Sequence, residues 1–297
     1  MADVAQAISL SQGISVPYWK RPVIWRAALL AVLIGWLYFP VLVSLSQQWW
    51  SDSNFSHGFL VPFFSFFVVW QHRSALALVP REPSVWGLPV VVLALCTLLL
   101  GTLGAEVFLA RTSLLLLIAG IVLFFLGWKM LKAVAFPLAF LLLMVPIPAI
   151  IFNQITFPLQ IFASKLAAWA LPLFGVPVLR EGNVINLPAM PLEVAEACSG
   201  IRSLLSLATL TIIYGYLMES RMLIRVLLAL ASIPIAVAAN GFRIIGTGLL
   251  VQYWDPEKAE GFFHAFSGWL IFVSSLFMLF LVHKLLKLVF RTSGAAA

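Results

Sequence analysis

The sequence predicts an all-α polytopic membrane protein with about eight transmembrane helices. Of its 297 residues, 63% are hydrophobic and 10% are charged, and the mean hydropathy is +1.07. So few polar side chains cannot cover a soluble surface. Repeated apolar runs approach the roughly 20 residues that a helix needs to cross a bilayer. The basic residues that give the net charge of +7 stand at the ends of these runs, which indicates contacts with membrane lipid and no nucleic-acid partner.

Eight apolar runs predict the transmembrane helices in chain order. They cover residues 26–45, 58–71, 85–103, 106–127, 133–150, 200–218, 223–243 and 266–285. No cleavage-site pattern follows the first run, so we expect it to be a retained helix. The chain then divides into a cytoplasmic segment at 1–25, a transmembrane domain at 26–290 and a disordered tail at 291–297. We expect no further extracytoplasmic domain after the last helix.

The positions of lysine and arginine predict that both termini lie in the cytoplasm. In this orientation the basic residues on the cytoplasmic side are Lys20, Arg21, Arg26, Arg73, Arg81, Lys129, Lys132, Arg221, Arg225, Lys284, Lys287 and Arg291. The smaller group on the outer side consists of Arg111, Lys165, Arg180, Arg202, Arg243 and Lys258.

The segment 152–175 decides the orientation of everything that follows it. Its polar residues recur at spacings of three and four, which predicts one wet face along a helix bent near Pro158; they are Asn153, Thr156, Gln160 and Ser164. We interpret the segment as an amphipathic helix in the outer interface. A crossing here would reverse the second half of the chain, and the charge count alone hardly opposes that alternative.

A small extramembrane hairpin or loop cap is predicted at 176–195. The stretch 179–187 (LREGNVINL) has extended character around a Gly-Asn turn, and Pro188 and Pro191 forbid a regular helix. Such backbone cannot be exposed to lipid. We therefore expect it to form a lid or wall beside Cys198.

Cys198 is the cysteine whose surroundings favour reactivity. The other cysteine, Cys96, lies inside the apolar run 85–103, where a cysteine packs as a small hydrophobe, so we expect no disulfide between the two. Cys198 directly precedes a predicted helix, and the helix N-terminus together with Arg202 is expected to lower the pKa of its thiol. These features make Cys198 a candidate nucleophile.

Two further residues are predicted to lie at the same surface. Arg243 follows Asn240 by three residues at the end of the seventh run, and it either snorkels toward the headgroups or stabilises an oxyanion. Asn240 is placed to orient Arg243 or to contact a substrate. His264 precedes the eighth run and suits a proton shuttle. His57 has a weaker case, because it is far away in sequence although it lies on the same side.

These segments resemble the motifs of the exosortase and archaeosortase family. The resemblance rests on 192–203 (LEVAEACSGIRS), on 240–244 (NGFRI) with the downstream His264, and on 55–62 (FSHGFLVP), which is similar to the N-terminal signature of bacterial exosortases. It covers most of the chain. It implies a membrane-embedded cysteine protease or transpeptidase in the bacterial inner membrane, with its active site on the outer face and no cofactor or metal.

The resemblance also implies the substrates and the roles of individual residues. The substrates are exported proteins that end in a Pro-Glu-Pro-type motif, a transmembrane helix and a basic tail. The resemblance leaves open whether a separate acyl acceptor takes part and what its identity is. Cys198 is the nucleophile, Arg243 stabilises the oxyanion and His264 handles protons. Supporting or substrate-binding positions are Glu196, Arg202, Asn240 and Arg180.

Two other functions fit a multi-pass membrane protein. A transporter or channel usually carries ionisable residues or broken helices at mid-membrane depth, whereas the polar residues here gather toward the outer ends of the predicted helices. A noncatalytic scaffold, in which Cys198 is incidental, is the third alternative.

Overall fold

The protein is an all-α polytopic membrane protein, as the composition predicts. A computed structural model describes residues 22–194, 200–254 and 256–292, with side chains outside 22–24, 27, 256–267 and 291–292. Its α-helices are α1 (Pro22–Ser51), α2 (Leu60–Gln71), α3 (Arg73–Ala77), α4 (Gly87–Leu103), α5 (Val107–Ala133), α6 (Ala135–Phe140), α7 (Ala149–Ala170), α8 (Ile201–Met218), α9 (Met222–Tyr253) and α10 (Pro256–Thr292).

Short elements connect several of these helices. Three 3₁₀ turns lie at Ser56–Phe59, Leu141–Met144 and Leu171–Phe174, and three strands form β1 (Leu179–Glu181), β2 (Val184–Asn186) and β3 (Pro191–Glu193). The chain divides into two compact units, Met1–Ser44 and Leu45–Ala297. The described part of the first unit is the portion of α1 from Pro22 to Ser44. The residues of the candidate site belong to the second unit.

Six of the described helical segments are long and apolar enough to cross a membrane. They are Ala28–Ser51, Val107–Ala133, Ala149–Phe174, Ile201–Met218, Met222–Tyr253 and Gly268–Phe290. The predicted crossings at 58–71 and 85–103 correspond to shorter apolar helices at Ser56–Gln71 and Gly87–Leu103. The start of α1 at Pro22 lies close to the predicted boundary at 25, and residues 293–297 of the predicted tail lie outside the described residues.

The prediction of one continuous helix over 133–150 is wrong. The chain there forms α6 and a 3₁₀ turn that ends at Met144, after which Val145 is extended at ψ 116°. Pro146 and Pro148 follow. A proline restricts the residue before it to extended backbone and donates no backbone hydrogen bond, so the helix restarts only at Ala149.

The predicted end of the seventh crossing at 243 is wrong, whereas the apolar stretch Gly268–Phe290 begins two residues from the predicted start of the eighth crossing. Helix α9 continues ten residues beyond Arg243, and α10 begins ten residues before the predicted start at 266. The extra turns of α9 bury Ile244 and Val251 in a core shared with the end of α7 and the strands. The apolar residues after Arg243 thus continue the helix and pack into this core.

Helices α8 and α9 run antiparallel and define two ends of the bundle. At the Asn54 end, formed by the loop 52–55, Met144 and the start of α8, Arg202 Nε donates to Asn54 Oδ1 at 3.4 Å. At the Glu219 end, formed by the turn 219–221 and His72, Arg225 Nη2 donates to the carbonyl of Tyr216 at 3.2 Å. The Tyr216 hydroxyl in turn lies 3.4 Å from His72 Nδ1.

Helix α7 does not connect these two ends. Its Phe152 ring packs against Phe55 with centroids 5.6 Å apart, which places the start of α7 at the Asn54 end. Beyond the other end of α7, the carbonyl of Phe174 accepts a hydrogen bond from the Tyr253 hydroxyl at 2.9 Å. Tyr253 lies 13 residues past Asn240, about 20 Å farther along α9 and away from the Glu219 end. Helix α7 therefore runs beside the second half of α9, and by length and hydropathy it also qualifies as a membrane span, so its interfacial placement stays a prediction.

The prediction of a solvent-exposed polar face on α7 is wrong for two of its four polar residues, Thr156 and Ser164. Thr156 and Ser164 are buried, because each hydroxyl finds a carbonyl partner inside the protein. Thr156 donates to the carbonyl of Phe152 at 2.7 Å, and Ser164 to the carbonyls of Ile161 and Gly182 at 2.9 and 3.0 Å. The spacing of these polar residues therefore follows, in part, the face of α7 against which the β-hairpin packs.

The predicted hairpin is present and has one additional strand. Strand β1 pairs with β2 antiparallel around the turn at Gly182 and Asn183, and β2 pairs with β3. Pro191 lies in the edge strand β3 opposite Asn186, a position that proline tolerates. Buried Ile185 fixes this small sheet onto α7 and the second half of α9.

Candidate functional site

Gly200 brings the start of α8 into direct contact with α9. It is the N-cap of α8 at φ +82°, a left-handed conformation that glycine adopts without strain. A Cβ atom on Gly200 would lie 2.9 Å from both Cβ and Cγ of Asn240, closer than ordinary packing allows. Asn240 itself is buried, with 3% of its surface exposed. A glycine is thus required both by the backbone conformation and by the approach of α9.

The segment around Cys198 is held at both ends. Cys198 and Glu196 lie in 195–199, outside the described residues. On the near side the Val194 amide donates to the carbonyl of Asn183 at 2.9 Å, and on the far side Gly200 contacts Asn240. Gly200, two residues after Cys198 in the sequence, lies at the Asn54 end of the bundle against Asn240.

Arg243 lies one turn beyond Asn240 and faces α10. It lines a cavity of about 310 Å³ between α9 and α10, together with the hydroxyl residues Thr247 and Ser274 and otherwise apolar side chains. Gly241, between the two motif residues, packs against Leu166 of α7. Asn240 and Arg243 thus face different neighbours, α8 for the first and α10 for the second.

The backbone at His264 is helical and lies near this cavity. Position 264 belongs to α10, and its side chain lies outside the described residues. Leu270 lines the cavity beside Arg243 and follows position 264 by six residues, about 9 Å along the helix. The structure therefore brings the helix that carries His264 against the helix that carries Arg243, at the Asn54 side of the bundle.

His57 also lies at the Asn54 end, a location that its distance in sequence from Cys198 does not reveal. It is part of the Ser56–Phe59 turn, which packs against the start of α8 and the Leu141–Met144 turn. Its Nδ1 atom is buried and makes no hydrogen bond of ordinary geometry, although the ring lies beside the backbone of Leu143 and Asn54. The position of His57 beside the start of α8 comes from helix packing, which sequence spacing alone does not reveal.

Trp49 fixes the turn that carries His57. Its indole Nε1 donates to the carbonyl of Met144 at 2.9 Å, and its ring meets Phe59 edge-on at 5.1 Å. Gly58 lies so close to the same indole that a Cβ atom there would overlap it. The 55–62 motif is therefore a packed structural unit, whose glycine admits the tryptophan ring.

Arg180 and Arg202 have hydrogen-bond partners within the described part of the chain. Arg180 Nη1 donates to the carbonyl of Gly182 within its own hairpin. Arg202 is exposed, and its Nε donates a hydrogen bond to Asn54 Oδ1. The substrate-binding roles predicted for both arginines stay predictions. Among the described residues no three His, Cys, Asp or Glu side chains come together as metal ligands.

Comparison with known protein families matches residues 49–281 to the transmembrane exosortases. The chain belongs to the transmembrane exosortase family. No curated protein and no solved structure matches the chain. The match begins at Trp49 and includes the 55–62 motif, Gly200 and Arg243, so the exosortase region coincides with the structural unit that begins at Leu45. Family membership indicates a membrane-embedded sorting enzyme.

Replacing Trp49 by phenylalanine tests how firmly the His57 turn is held. Trp49→Phe removes the indole donor and leaves the buried Met144 carbonyl without this partner, which costs about 1–3 kcal/mol. We expect the thermal unfolding midpoint in detergent to fall. The matched control is the neighbouring Trp50→Phe, because Trp50 is 85% exposed. Equal midpoints for the two variants would contradict this role of Trp49.

Proposed function

We propose that this exosortase cleaves C-terminal sorting signals of exported proteins through the thiol of Cys198. The observation that carries the proposal is the contact between Gly200 and Asn240, which joins the segment after Cys198 to the helix that bears Arg243. A thiol, a guanidinium and an imidazole are the groups that acyl transfer by a cysteine requires. The family match supports a sorting enzyme, and the cysteine chemistry is our inference from these residues.

The first half of the reaction is the attack on the substrate. The Cys198 thiolate adds to the scissile carbonyl carbon, and the carbonyl oxygen becomes an oxyanion that Arg243 stabilises. The C–N bond then breaks, and His264 gives a proton to the departing amine. The products of this half are a thioester on Cys198 and the released C-terminal segment of the substrate.

The second half returns the thiol. Water or an amine attacks the thioester carbonyl, the attacking group loses a proton to His264, and the C–S bond breaks. Water gives a new carboxylate on the substrate, whereas an amine gives an amide to an acceptor. Both begin from the same thioester, so mass spectrometry of the new C-terminus distinguishes hydrolysis from transfer.

The layout of the Asn54 end favours a substrate that is itself anchored in the membrane. A substrate helix that ends at the headgroups presents the residues before it at the depth where α8 begins. Lateral diffusion in the bilayer then replaces encounter from solution, and holding both reactants in one plane raises their effective concentration. Arg180, Arg202 and Glu196 are the charged groups proposed to contact the sorting motif.

We further propose that the enzyme lies in a bacterial inner membrane with both termini in the cytoplasm. The Asn54 end then faces outward, and the Glu219 end faces the cytoplasm. Lys129, Lys132, Arg221 and Lys287 are on the cytoplasmic side in this orientation, in line with the usual excess of basic residues there.

Replacing Cys198 tests the nucleophile. We expect Cys198→Ala and Cys198→Ser to abolish cleavage of a co-expressed substrate that carries the tripartite tail, because neither supplies a thiolate. The matched control is Cys96→Ser, since Cys96 is a free, exposed cysteine on α4. Cleavage by the Cys198→Ala variant would refute the nucleophile. In the Cys96→Ser protein, a membrane-impermeant thiol reagent should label Cys198 from the outer face only.

The two helper residues are tested by Arg243→Gln and His264→Gln. Each should lower kcat/KM by about 100-fold or more, through loss of oxyanion stabilisation or of proton transfer. Lys165→Gln, an exposed residue of α7, controls for charge and should change the rate less than about threefold. If His57→Gln abolishes cleavage while His264→Gln does not, the proton carrier is His57 and the assignment of His264 is wrong.

A further inference from the structure

A second polar site lies at the Glu219 end, remote from the residues discussed above. The Glu219 cavity has a volume of about 430 Å³ and opens between the turn 219–221 and one face of α10. Its lining residues are Glu219, Arg221, Ile224, Lys284, Lys287 and Leu288. Three of these are basic, one is acidic and two are apolar.

Glu219 is buried and its carboxylate is fully occupied by partners of its own. Oε1 accepts hydrogen bonds from the backbone amides of Ser220 and Arg221 at 2.9 and 3.1 Å. Oε2 lies 3.3 Å from His283 Nε2 and 3.7 Å from Lys287 Nζ. The hydrogen bond from the Arg221 amide is the main reason that the pKa of Glu219 is lowered, so the carboxylate stays ionised.

The residues behind Glu219 join the turn to the neighbouring helices. The Tyr214 hydroxyl lies 2.7 Å from His283 Nδ1, which orients the imidazole toward the carboxylate. Arg225 Nε donates to the Glu219 carbonyl at 2.6 Å. The turn is therefore attached to α9 by Arg225 and to α10 by His283, and Tyr214 of α8 contacts that histidine.

Two of the cavity's cations have no acidic partner within the described part of the chain. Lys287 approaches Glu219, whereas Arg221 donates to the neutral carbonyl of Phe290 at 3.3 Å. Lys284 is exposed and forms no ion pair among the described residues. The carboxylate compensates one positive charge, so the cavity keeps an excess of positive charge.

We propose that the Glu219 cavity binds the phosphate headgroup of an anionic phospholipid. Lys284 and Lys287 stand at the end of the apolar stretch Gly268–Phe290, the depth at which headgroups meet water. Arg221 and Lys284 supply the positive charge, and Ile224 and Leu288 offer an apolar surface to the start of an acyl chain. Basic cavities between transmembrane helices are suited to such lipids, and separate snorkelling side chains would not enclose a common space.

A lipid in this cavity bridges the turn before α9 and the last part of α10. These two helices also carry Arg243 and position 264 at the opposite end. The bound headgroup would therefore stabilise the pairing of the two helices. This inference stands independently of the cysteine chemistry, because it uses none of the residues at the Asn54 end.

The proposal is tested by the thermal stability of the purified full chain in detergent with added phosphatidylglycerol. We expect phosphatidylglycerol to raise the unfolding midpoint by roughly 5 °C more than phosphatidylcholine does, because a ligand that binds only the folded state stabilises it. In the double variant Arg221→Gln/Lys284→Gln this difference should fall to less than about one third. The matched control, Arg81→Gln/Lys132→Gln, removes two exposed charges at the same end and should keep it.

Several results would overturn the proposal. They are an undiminished phosphatidylglycerol effect in the cavity variant, an equal effect of phosphatidylcholine, or an equal loss in the control. Inorganic phosphate added alone should have no effect, and full stabilisation by it would assign the cavity to a free anion instead. If the double variant does not fold, native mass spectrometry decides: Lys284→Gln should retain at least about threefold less phosphatidylglycerol than Lys132→Gln, and equal retention refutes the site.

Discussion

The close approach of Gly200 to Asn240 is the constraint on which the rest of the site depends. A left-handed residue without a side chain lets the start of α8 lie directly on α9. Because Cys198 precedes Gly200 by two residues and Arg243 follows Asn240 by three, this one contact joins both segments at the same end. Any side chain at position 200 would separate α8 from α9 and strain the helix cap.

The second constraint is that α7 runs away from the Glu219 end and does not connect the two ends of α8 and α9. The contact of Phe55 with Phe152 fixes its start at the Asn54 end, and the hydrogen bond from Tyr253 to Phe174 fixes the turn after it beside the last turns of α9. The β-hairpin, α7 and the second half of α9 then share one core around Ile185. That core includes Val194, and Gly200 lies against Asn240, so the residues on both sides of 195–199 have defined contacts. The bundle thus has one end with the motif residues and another with the Glu219 cavity.

The fold class could be predicted from the sequence, because hydropathy is a local property. The helix ends were less predictable. Residues 244–253 stay helical through packing against α7 and the hairpin, and the break before Ala149 arises from two prolines that a hydropathy count does not weigh. Thr156 and Ser164 are buried because their hydroxyls find carbonyls, which spacing alone does not reveal.

Partners far apart in sequence were beyond prediction for the same reason. His57 and α8, and Glu219 and His283, become neighbours only through the packing of helices that sequence patterns do not pair. Each group taken alone looks like an ordinary interfacial residue. The burial of Glu219 and His283, and the buried Nδ1 atom of His57, distinguish these groups from such residues.

Thiol cross-linking within the Cys96→Ser chain measures whether Cys198 and Arg243 lie together at one end of the bundle. Cys198 is paired either with Arg243→Cys or with Arg225→Cys, and position 225 lies about 27 Å from position 243 along α9. After treatment with a short bismaleimide, trypsin cuts between the paired positions. We expect the fragments to stay joined for Arg243→Cys and to separate for Arg225→Cys. Joined fragments only for Arg225→Cys would contradict this arrangement.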